Sequence, residues 1–261
     1  MEVIKEKSII IQRFLDNVRG EIFNPSGYNK NHSGAEGHWL EKQMGIKPNG
    51  DNKPDILGYE MKMQTSSGKT TFGDWPPHEA IWHKINPNPN LRRFDRDKEF
   101  LKIFGKENSS KKNRLSWSGE PAPRKISMFN EYGQTLIIDA NKNILAIYNY
   151  EKDNRENKNQ LVPLELQRKY LILAKWRAEK MQEKVENKFG ISGWFKCFKD
   201  NNGIYDRIGF GPAFTFDLWI NLVKNGTVYF DSGMYEGNPR PYSQWRANNL
   251  YWDKLIEEFY P

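Results

Sequence analysis

Apolar residues recur at helical spacing in two stretches near the start of the chain. The first covers residues 3 to 20, where Gly20 offers a stop. The second begins near Ser33 or Gly34 and reaches Gly45, a residue that favours the end of a helix. Both stretches therefore predict amphipathic helices.

Alternating apolar and polar residues, bounded by turn signals, predict short strands further along. A strand pair is expected around 55–65, and three β-rich pieces follow at 125–129, 135–139 and 144–150. Asn141-Lys142-Asn143 favours a hairpin turn between the last two pieces. Residues 66–90 contain many Gly and Pro residues, which predict loops with one short helix around 79–84.

The C-terminal half begins with an ambiguity. Residues 166–188 suit one long helix by propensity, but they contain a run that also suits a buried strand, and periodicity does not decide between them. The remaining predictions are a helix over 214–223, a strand over 227–231, a polar loop over 236–249 and a closing helix over 250–259.

Composition narrows the class of protein. The 261 residues suit one large domain or two lobes, and an aromatic content of 14% argues against disorder. We expect no signal peptide and no membrane span. The single cysteine, Cys197, excludes an internal disulfide framework and favours a reducing cytoplasm. One cysteine and four scattered histidines do not suit a structural zinc site.

Positive charge is concentrated in one segment. The net charge is +7, and residues 84–125 contain 12 Lys and Arg against 5 Asp and Glu, which gives a surplus of +7 there alone. Such a segment suits a surface that faces phosphates, and Arg92 and Arg93 are among its candidates. The alternative is a flexible basic surface loop, partly mobile near 108–113.

The stretch Pro54-Asp55-Ile56-Leu57-Gly58-Tyr59-Glu60-Met61-Lys62 has the form P-D-x4-E-x-K. Strand alternation projects Glu60 and Lys62 from one face, while Tyr59 and Met61 pack below. A bend at Leu57-Gly58 brings the Asp55 carboxylate back toward Glu60. Two carboxylates at that separation suit one Mg2+, and a lysine beside them suits a water that attacks a phosphate.

The triplet alone leaves an alternative open. Short spacings of this kind arise by chance, and a solvated strand face with an ion pair explains Asp55, Glu60 and Lys62 equally well. Glu186-x-Lys188 illustrates such an accident, because no Asp lies between it and Asp153.

A second motif precedes the triplet. The segment Gly34-Ala35-Glu36-Gly37-His38-Trp39-Leu40-Glu41, followed by the Asp55–Lys62 stretch, resembles the MutH-like branch of the PD-(D/E)xK nucleases, in particular the type II restriction endonucleases of the group that includes MvaI and BcnI. The C-terminal half is more weakly similar, through a helix, an Asn225-Gly226 turn and a strand. Residues 66–125 depart from the family pattern.

The resemblance implies an α/β (α+β) fold. Its PD-(D/E)xK restriction-endonuclease-like core has a mixed central sheet flanked by helices, with two lobes around a DNA cleft. Residues 1–75 and part of 125–185 would form the catalytic lobe, 84–125 the DNA-facing basic segment and 186–261 the recognition lobe.

The resemblance also implies Mg2+-dependent hydrolysis of phosphodiester bonds in double-stranded DNA at a short specific sequence. Asp55 and Glu60 would bind Mg2+ with the carbonyl of Met61, Lys62 would orient the attacking water, and Glu41 would be an auxiliary acid beside the metal. For Glu41, the alternative is an ion pair on the helix surface.

The side chains predicted to read bases share long polar ends that suit base edges. They are Arg240, Arg246, Gln244, Asn248 and Arg207. Trp245 and Tyr242 would wedge into the DNA or pack against its backbone. For each, an exposed loop residue without a base contact is the alternative.

The implied protein is a monomer paired in the cell with a separate DNA methyltransferase. Three alternatives remain open from the sequence: a MutH-type mismatch-repair nicking endonuclease, a non-catalytic DNA-binding protein and an RNA-binding protein.

Overall fold

Helices and short strands alternate along the chain in a computed structural model that describes residues 2–28, 34–47, 51–63, 65, 67–85, 93–126 and 128–261. The α-helices of this part are α1 (Glu2–Asn17), α2 (Ala35–Gln43), α3 (Trp82–Ile85), α4 (Arg93–Phe104), α5 (Lys158–Leu161), α6 (Ala178–Phe189), α7 (Phe216–Lys224) and α8 (Asn249–Lys254). Its strands are β1 (Glu60–Lys62), β2 (Lys69–Asp74), β3 (Glu79–Ala80), β4 (Lys106–Asn108), β5 (Arg114–Trp117), β6 (Tyr132–Ile138), β7 (Ile144–Asp153), β8 (Leu171–Trp176), β9 (Trp194–Lys199), β10 (Tyr205–Gly211), β11 (Tyr229–Ser232), β12 (Met234–Tyr235), β13 (Ser243–Asn248) and β14 (Glu258–Tyr260).

The chain divides into two compact units. Unit 1 contains Met1–Thr70, Glu183–Phe216 and Asn248–Pro261, and unit 2 contains Thr71–Gln182 and Asp217–Ala247. This division differs from the lobe boundaries expected from the sequence, which placed 186–261 together. Strands β9, β10 and β14 join the sheet of β1, and such long-range pairing is invisible in the local pattern.

Unit 1 is built around a mixed four-stranded sheet with the order β1-β9-β10-β14. Strand β1 runs parallel to β9, and the other pairs are antiparallel. One face is covered by α1 and α2, whose Phe14 and Leu40 share a core with Met61, Phe195 and Ile208. This packing confirms that Met61 lies below the strand.

The opposite face of that sheet carries polar side chains as well as aromatic ones. Glu60 is in register with Trp194, and Lys62 with Lys196. Residues in register on parallel strands point to the same face, so two buried lysines stand side by side there. Lys196 forms an ion pair with Asp253.

Unit 2 contains three sheets, with the orders β3-β8-β7-β6, β11-β13-β2 and β12-β5-β4. Its core is rich in aromatic rings: Trp176 lies 4.9 Å from Phe230 and 5.3 Å from Trp245, measured between ring centroids. The β6–β7 hairpin confirms the turn predicted at 141–143. None of the helices in the described residues is long and apolar enough to cross a membrane.

The ambiguous stretch 166–188 contains both predicted elements in succession. It forms β8 and then α6, because Leu171, Leu173 and Ala174 are buried in a sheet while the residues from Ala178 onward adopt helical spacing. The expectation of β structure at 125–129 is met by a single bridge between Ile126 and Leu136.

Three predictions were wrong. Residues 66–90 contain β2, whose alternating Thr70 and Phe72 are buried, although the flanking glycines indicated a loop. Part of the predicted loop 236–249 is β13, because Trp245 and Ala247 face the core while Arg246 between them does not. The closing helix ends at Lys254, and the last residues form β14 against the edge of β10.

Candidate active site

A tight turn places Asp55 beside the strand that carries Glu60 and Lys62. Ile56 and Tyr59 exchange two backbone hydrogen bonds, of 3.0 and 2.8 Å. The residues between them are left-handed, with φ angles of 48° at Leu57 and 80° at Gly58. Two central residues with positive φ are what a two-residue hairpin turn requires. The bend predicted at Leu57-Gly58 is therefore present.

The Asp55 carboxylate is fixed by this turn. Its Oδ2 accepts a hydrogen bond of 2.9 Å from the backbone N–H of Met61. Burial, and then the nearby charge of Glu60, raise the pKa of Asp55 to about 6, although the Met61 N–H and the charges of Lys62 and Lys188 act in the opposite direction. Asp55 and Glu60 therefore lie close enough to repel each other.

Glu60 occupies the centre of the site with two lysines on one oxygen. Its Oε1 is 2.8 Å from Nζ of Lys62 and 3.1 Å from Nζ of Lys188. Its other oxygen, Oε2, is buried and has no hydrogen-bond partner among the described residues. Only 4% of the Glu60 side chain and 6% of the Lys62 side chain are exposed, so the solvated strand face proposed as an alternative is wrong.

Lys62 is enclosed by aromatic rings. Its Nζ lies 5.0 Å from the ring centroid of Phe189 and 5.7 Å from that of Trp252. Burial lowers the pKa of Lys62, and the charge of Glu60 acts against this shift. The ammonium group is thus held by one carboxylate oxygen and by the electron-rich faces of two rings.

Glu41 lies in the electrostatic field of this centre. Burial raises its pKa, the charge of His38 lowers it, and the charge of Glu60 raises it further. Helix α2 therefore carries a partly buried carboxylate whose pKa responds to the charge of Glu60.

The donor set suits a hard divalent cation. The Met61 N–H points away from β9 to Asp55, and because N–H and C=O of one strand residue point to the same side, the Met61 carbonyl faces that side as well. Asp55, Glu60 and this carbonyl offer oxygen donors, and Oε2 of Glu60 lacks a partner. Mg2+ binds through one or two carboxylates and keeps several waters. Within the described residues, no group of three or more His, Cys, Asp and Glu side chains is placed to hold a metal.

Comparison with known proteins identifies the family. The model of the LlaMI restriction endonuclease family matches residues 18–260. The chain belongs to this restriction endonuclease family. It is also similar to the type II restriction enzyme ScrFI of Lactococcus lactis subsp. cremoris, with 46% identity over 97% of each chain. The prediction of a type II restriction endonuclease, a site-specific deoxyribonuclease, is confirmed.

A solved structure supports the fold of this restriction endonuclease. The complex of the restriction endonuclease MvaI with its cognate DNA substrate matches with a TM-score of 0.55 over 98% of this chain and 96% of that one, at 13% identity. The predicted PD-(D/E)xK class of fold is confirmed. The family also selects restriction over the nicking, non-catalytic and RNA-binding alternatives.

Three of the predicted base-reading residues of the restriction endonuclease lie in unit 2. Arg240 is exposed, in the segment between β12 and β13. Gln244 and Arg246 lie on β13, where Arg246 donates to the Gln244 side chain and pairs with Asp231 at 3.0 Å. Trp245, which lies between them in the sequence, is fully buried in the core, so its predicted contact with a DNA backbone is wrong.

The other candidates have different surroundings. Asn248 caps α8 by accepting a 2.7 Å hydrogen bond from the N–H of Tyr251. Arg207 is exposed on β10, with its guanidinium 5.3 Å from the ring centroid of Phe259. Arg92 lies outside the described residues. Arg93 is the first residue of α4, and only its backbone is described.

The basic segment of the restriction endonuclease contains ordered elements and local ion pairs. It includes α4, β4 and β5. Lys98 pairs with Glu236 at 3.0 Å, and Lys106 pairs with Glu120 at 2.5 Å. Glu236 lies outside the segment, so its ion pair offsets one charge of the surplus, whereas Glu120 is already counted within the segment.

Sequence reasoning missed Lys188. Glu186-x-Lys188 was set aside as an accidental match, yet Lys188 contacts Glu60 across 128 residues of chain. Phe189 and Trp252, which enclose Lys62, were missed as well. Nothing local marks these residues, because the parallel pairing of β1 with β9 and the position of α6 bring them together.

Proposed function

We propose that Asp55, Glu60 and Lys62 form the catalytic centre through which this restriction endonuclease hydrolyses phosphodiester bonds of double-stranded DNA in the presence of Mg2+. The observation that carries the proposal is the Glu60 carboxylate, whose Oε1 holds two lysines while its buried Oε2 has no hydrogen-bond partner in the described part of the chain. A buried carboxylate oxygen without a partner is costly unless a ligand completes it.

Asp55, Glu60 and the Met61 carbonyl would hold the cation. When bound, a divalent cation supplies positive charge that stabilises the charge developing on the phosphate. Asp55 keeps its position through the Met61 N–H, and Lys62 orients the attacking water from beside Glu60. Glu41 would be an auxiliary acid that adjusts the positions of ligands and waters around the site.

Base reading is proposed for the exposed and half-buried polar residues of unit 2. Arg246 is held by Gln244 and Asp231, which restrains its guanidinium before DNA binds. Such a restrained fork suits the two acceptors of guanine in the major groove. Arg240 would add a second contact. Further DNA contacts are proposed for Arg207, Asn248, Arg92 and Arg93.

The cellular setting follows from the activity. We propose that the enzyme acts as a monomer in the bacterial cytoplasm. We also propose a separate DNA methyltransferase, because an enzyme that cuts a short sequence meets that sequence in the host chromosome. The chromosomal DNA of the source cell should then resist the enzyme, whereas the same DNA amplified without modification should be cut. Light scattering would report the mass in solution.

The catalytic assignment is tested on supercoiled plasmid and a defined duplex with Mg2+ at low salt. The wild type should cut at discrete sites and stop when the metal is chelated. Asp55→Ala and Lys62→Ala should each lower the rate by about 1000-fold or more, since each removes a group that acts in the transition state.

Lys53→Ala provides the matched control, because Lys53 is an exposed lysine two residues before Asp55. It should cut at the wild-type rate. A wild type that leaves DNA intact, or an Asp55→Ala variant that still cuts, would refute the proposed centre.

A further inference from the structure

Lys188 and Lys62 share one oxygen of Glu60 but have different surroundings. The Lys62 side chain is 6% exposed and its ammonium faces the rings of Phe189 and Trp252. The Lys188 side chain is 16% exposed. Of the two lysine side chains, that of Lys188 is therefore the more exposed.

The hydrogen-bonding capacity of Lys188 is only partly used. An ammonium group carries three N–H donors. The described residues provide Lys188 with one ion-pair partner, Oε1 of Glu60 at 3.1 Å. Donors left over on a partly exposed cation beside two carboxylates suit an anionic oxygen of a phosphodiester.

The charges of the centre also assign a role to Lys188. Asp55 and Glu60 carry two negative charges, and Lys62 and Lys188 balance them. A divalent cation entering this cluster of four side chains meets repulsion from Lys188 as well as from Lys62. Without Lys188 the cluster would be one charge more negative, so it would hold the cation more tightly and repel the phosphate more strongly.

We propose that Lys188 is a second catalytic lysine, which binds the scissile phosphate through the N–H donors that the described residues leave unpaired and weakens cation binding through its charge. This inference rests on the proposed function of the Asp55–Lys62 centre. The two lysines would then have different roles. Lys62 stays enclosed and orients the water beside Glu60, while Lys188 contacts the phosphate.

A purely structural role is the competing explanation. Lys188 lies in the last turn of α6, where a cation is favourable for the helix dipole, and it also compensates the buried charge of Glu60. In that case its loss would lower the stability of unit 1 and would disturb Glu60, so the cation would bind more weakly. The two explanations therefore predict opposite changes in metal affinity.

The test uses Lys188→Gln, which removes the charge and keeps an N–H donor for Glu60, and Lys188→Arg, which keeps the charge. Lys184→Gln is the matched control, one helical turn earlier on α6. Mn2+ binding to the DNA-free protein is followed by electron paramagnetic resonance of free Mn2+. Cleavage is measured as a single turnover on a defined duplex with excess enzyme, and folding by thermal unfolding.

Lys188→Gln should bind Mn2+ roughly 10-fold more tightly and cut about 100-fold more slowly than the wild type. Lys188→Arg should keep the wild-type affinity for Mn2+, and Lys184→Gln should match the wild type in both measurements. If Lys188→Gln does not fold, Lys188→Met carries the same two expectations.

Unchanged or weaker Mn2+ binding, or cleavage within about 3-fold of the wild type, would overturn the role of Lys188. Asp55→Ala in the same assay separates this failure from a failure of the proposed function. If Asp55→Ala cuts normally, the catalytic centre itself is misassigned; if it is inactive while Lys188→Gln is unimpaired, only the assignment of Lys188 falls.

Discussion

The two units each contain a buried carboxylate with basic partners, but the two carboxylates differ in how many of their oxygens have a hydrogen-bond partner. In unit 2, Asp153 accepts hydrogen bonds from Arg155 Nε at 2.9 Å, from Arg155 Nη2 at 2.6 Å and from the Tyr148 hydroxyl at 2.8 Å. Both of its oxygens are satisfied. In unit 1, Glu60 has two lysines on Oε1 and no hydrogen-bond partner among the described residues on Oε2.

The pKa shifts of Asp153 and Asp55 differ in the same way as the hydrogen bonding of the two clusters. For Asp153, burial acts to raise the pKa, but the hydrogen bonds and charge of Arg155 prevail and lower it. For Asp55 beside Glu60, burial and the neighbouring carboxylate raise the pKa to about 6. A completed ionic cluster stabilises the fold, whereas an incomplete one is ready to accept a ligand.

The largest expected effect is on stability at the completed cluster. Asp153→Asn should lower the free energy of unfolding by about 3–5 kcal/mol, because it leaves the largely buried guanidinium of Arg155 beside a neutral group. Glu151→Gln on the same strand is the matched control, since Glu151 forms an exposed ion pair with Lys169. This variant should unfold at nearly the same urea concentration as the wild type, because an exposed ion pair contributes little to stability. Urea unfolding measures both.

The pH dependence of the Asp153 contribution has a defined sign. Because the folded pKa lies below the ordinary value of 3.8, the unfolded chain binds the proton more readily. The contribution is fully present above the unfolded pKa and is lost as the pH falls through the folded pKa. The stability gap between wild type and Asp153→Asn should stay constant near neutral pH and close below 3.8. A gap that closes already near pH 6, roughly where histidines titrate, would contradict the assignment.

Part of the incomplete cluster was predictable because it is local in sequence. Asp55, Glu60 and Lys62 stand on one turn and one strand, so strand alternation and the Leu57-Gly58 bend are enough to bring them together. Glu41 required a second motif in the right order. The helix α1 and helix α2 were predictable for the same reason, since their apolar spacing is complete within each segment.

The remainder depends on long-range pairing. Lys188 reaches Glu60 only because β9 pairs with β1 and α6 precedes β9. Strand β13 was read as a loop because polar residues alternate with its buried Trp245 and Ala247. The predicted end of the closing helix was wrong because β14 pairs with the edge of β10, and local propensity contains no information about that edge.

A smaller effect on the free energy of unfolding is expected when a divalent cation binds to the Glu60 carboxylate. At pH 8, above the pKa of about 6 of Asp55, saturating Mg2+ should raise the free energy of unfolding of the wild type by about 1–3 kcal/mol. Glu60→Gln should lose this gain, whereas Asp153→Asn should keep it in full. Chemical unfolding with Mg2+ and with a chelator measures the difference. An equal gain in Glu60→Gln would place the cation elsewhere in the protein.

The smallest expected effect concerns the turn that brings Asp55 to the incomplete cluster. Leu57 has a φ of 48°, a left-handed conformation that costs a leucine free energy and that asparagine tolerates better. Leu57→Asn creates the Asn-Gly pair favoured in two-residue turns, and it should raise the free energy of unfolding by about 1 kcal/mol with the cleavage rate unchanged.

Gly58→Ala should act in the opposite direction, because a Cβ at a φ of 80° would lie 2.9 Å from Ser192 Oγ and 3.0 Å from Ile191 Cγ2. Opposite stability changes, measured by thermal unfolding, would show that the turn holds Asp55 at a local cost in backbone strain. If Leu57→Asn is less stable than the wild type, packing of the leucine side chain outweighs its backbone strain. The turn would then stabilise unit 1, as the completed cluster around Asp153 stabilises unit 2.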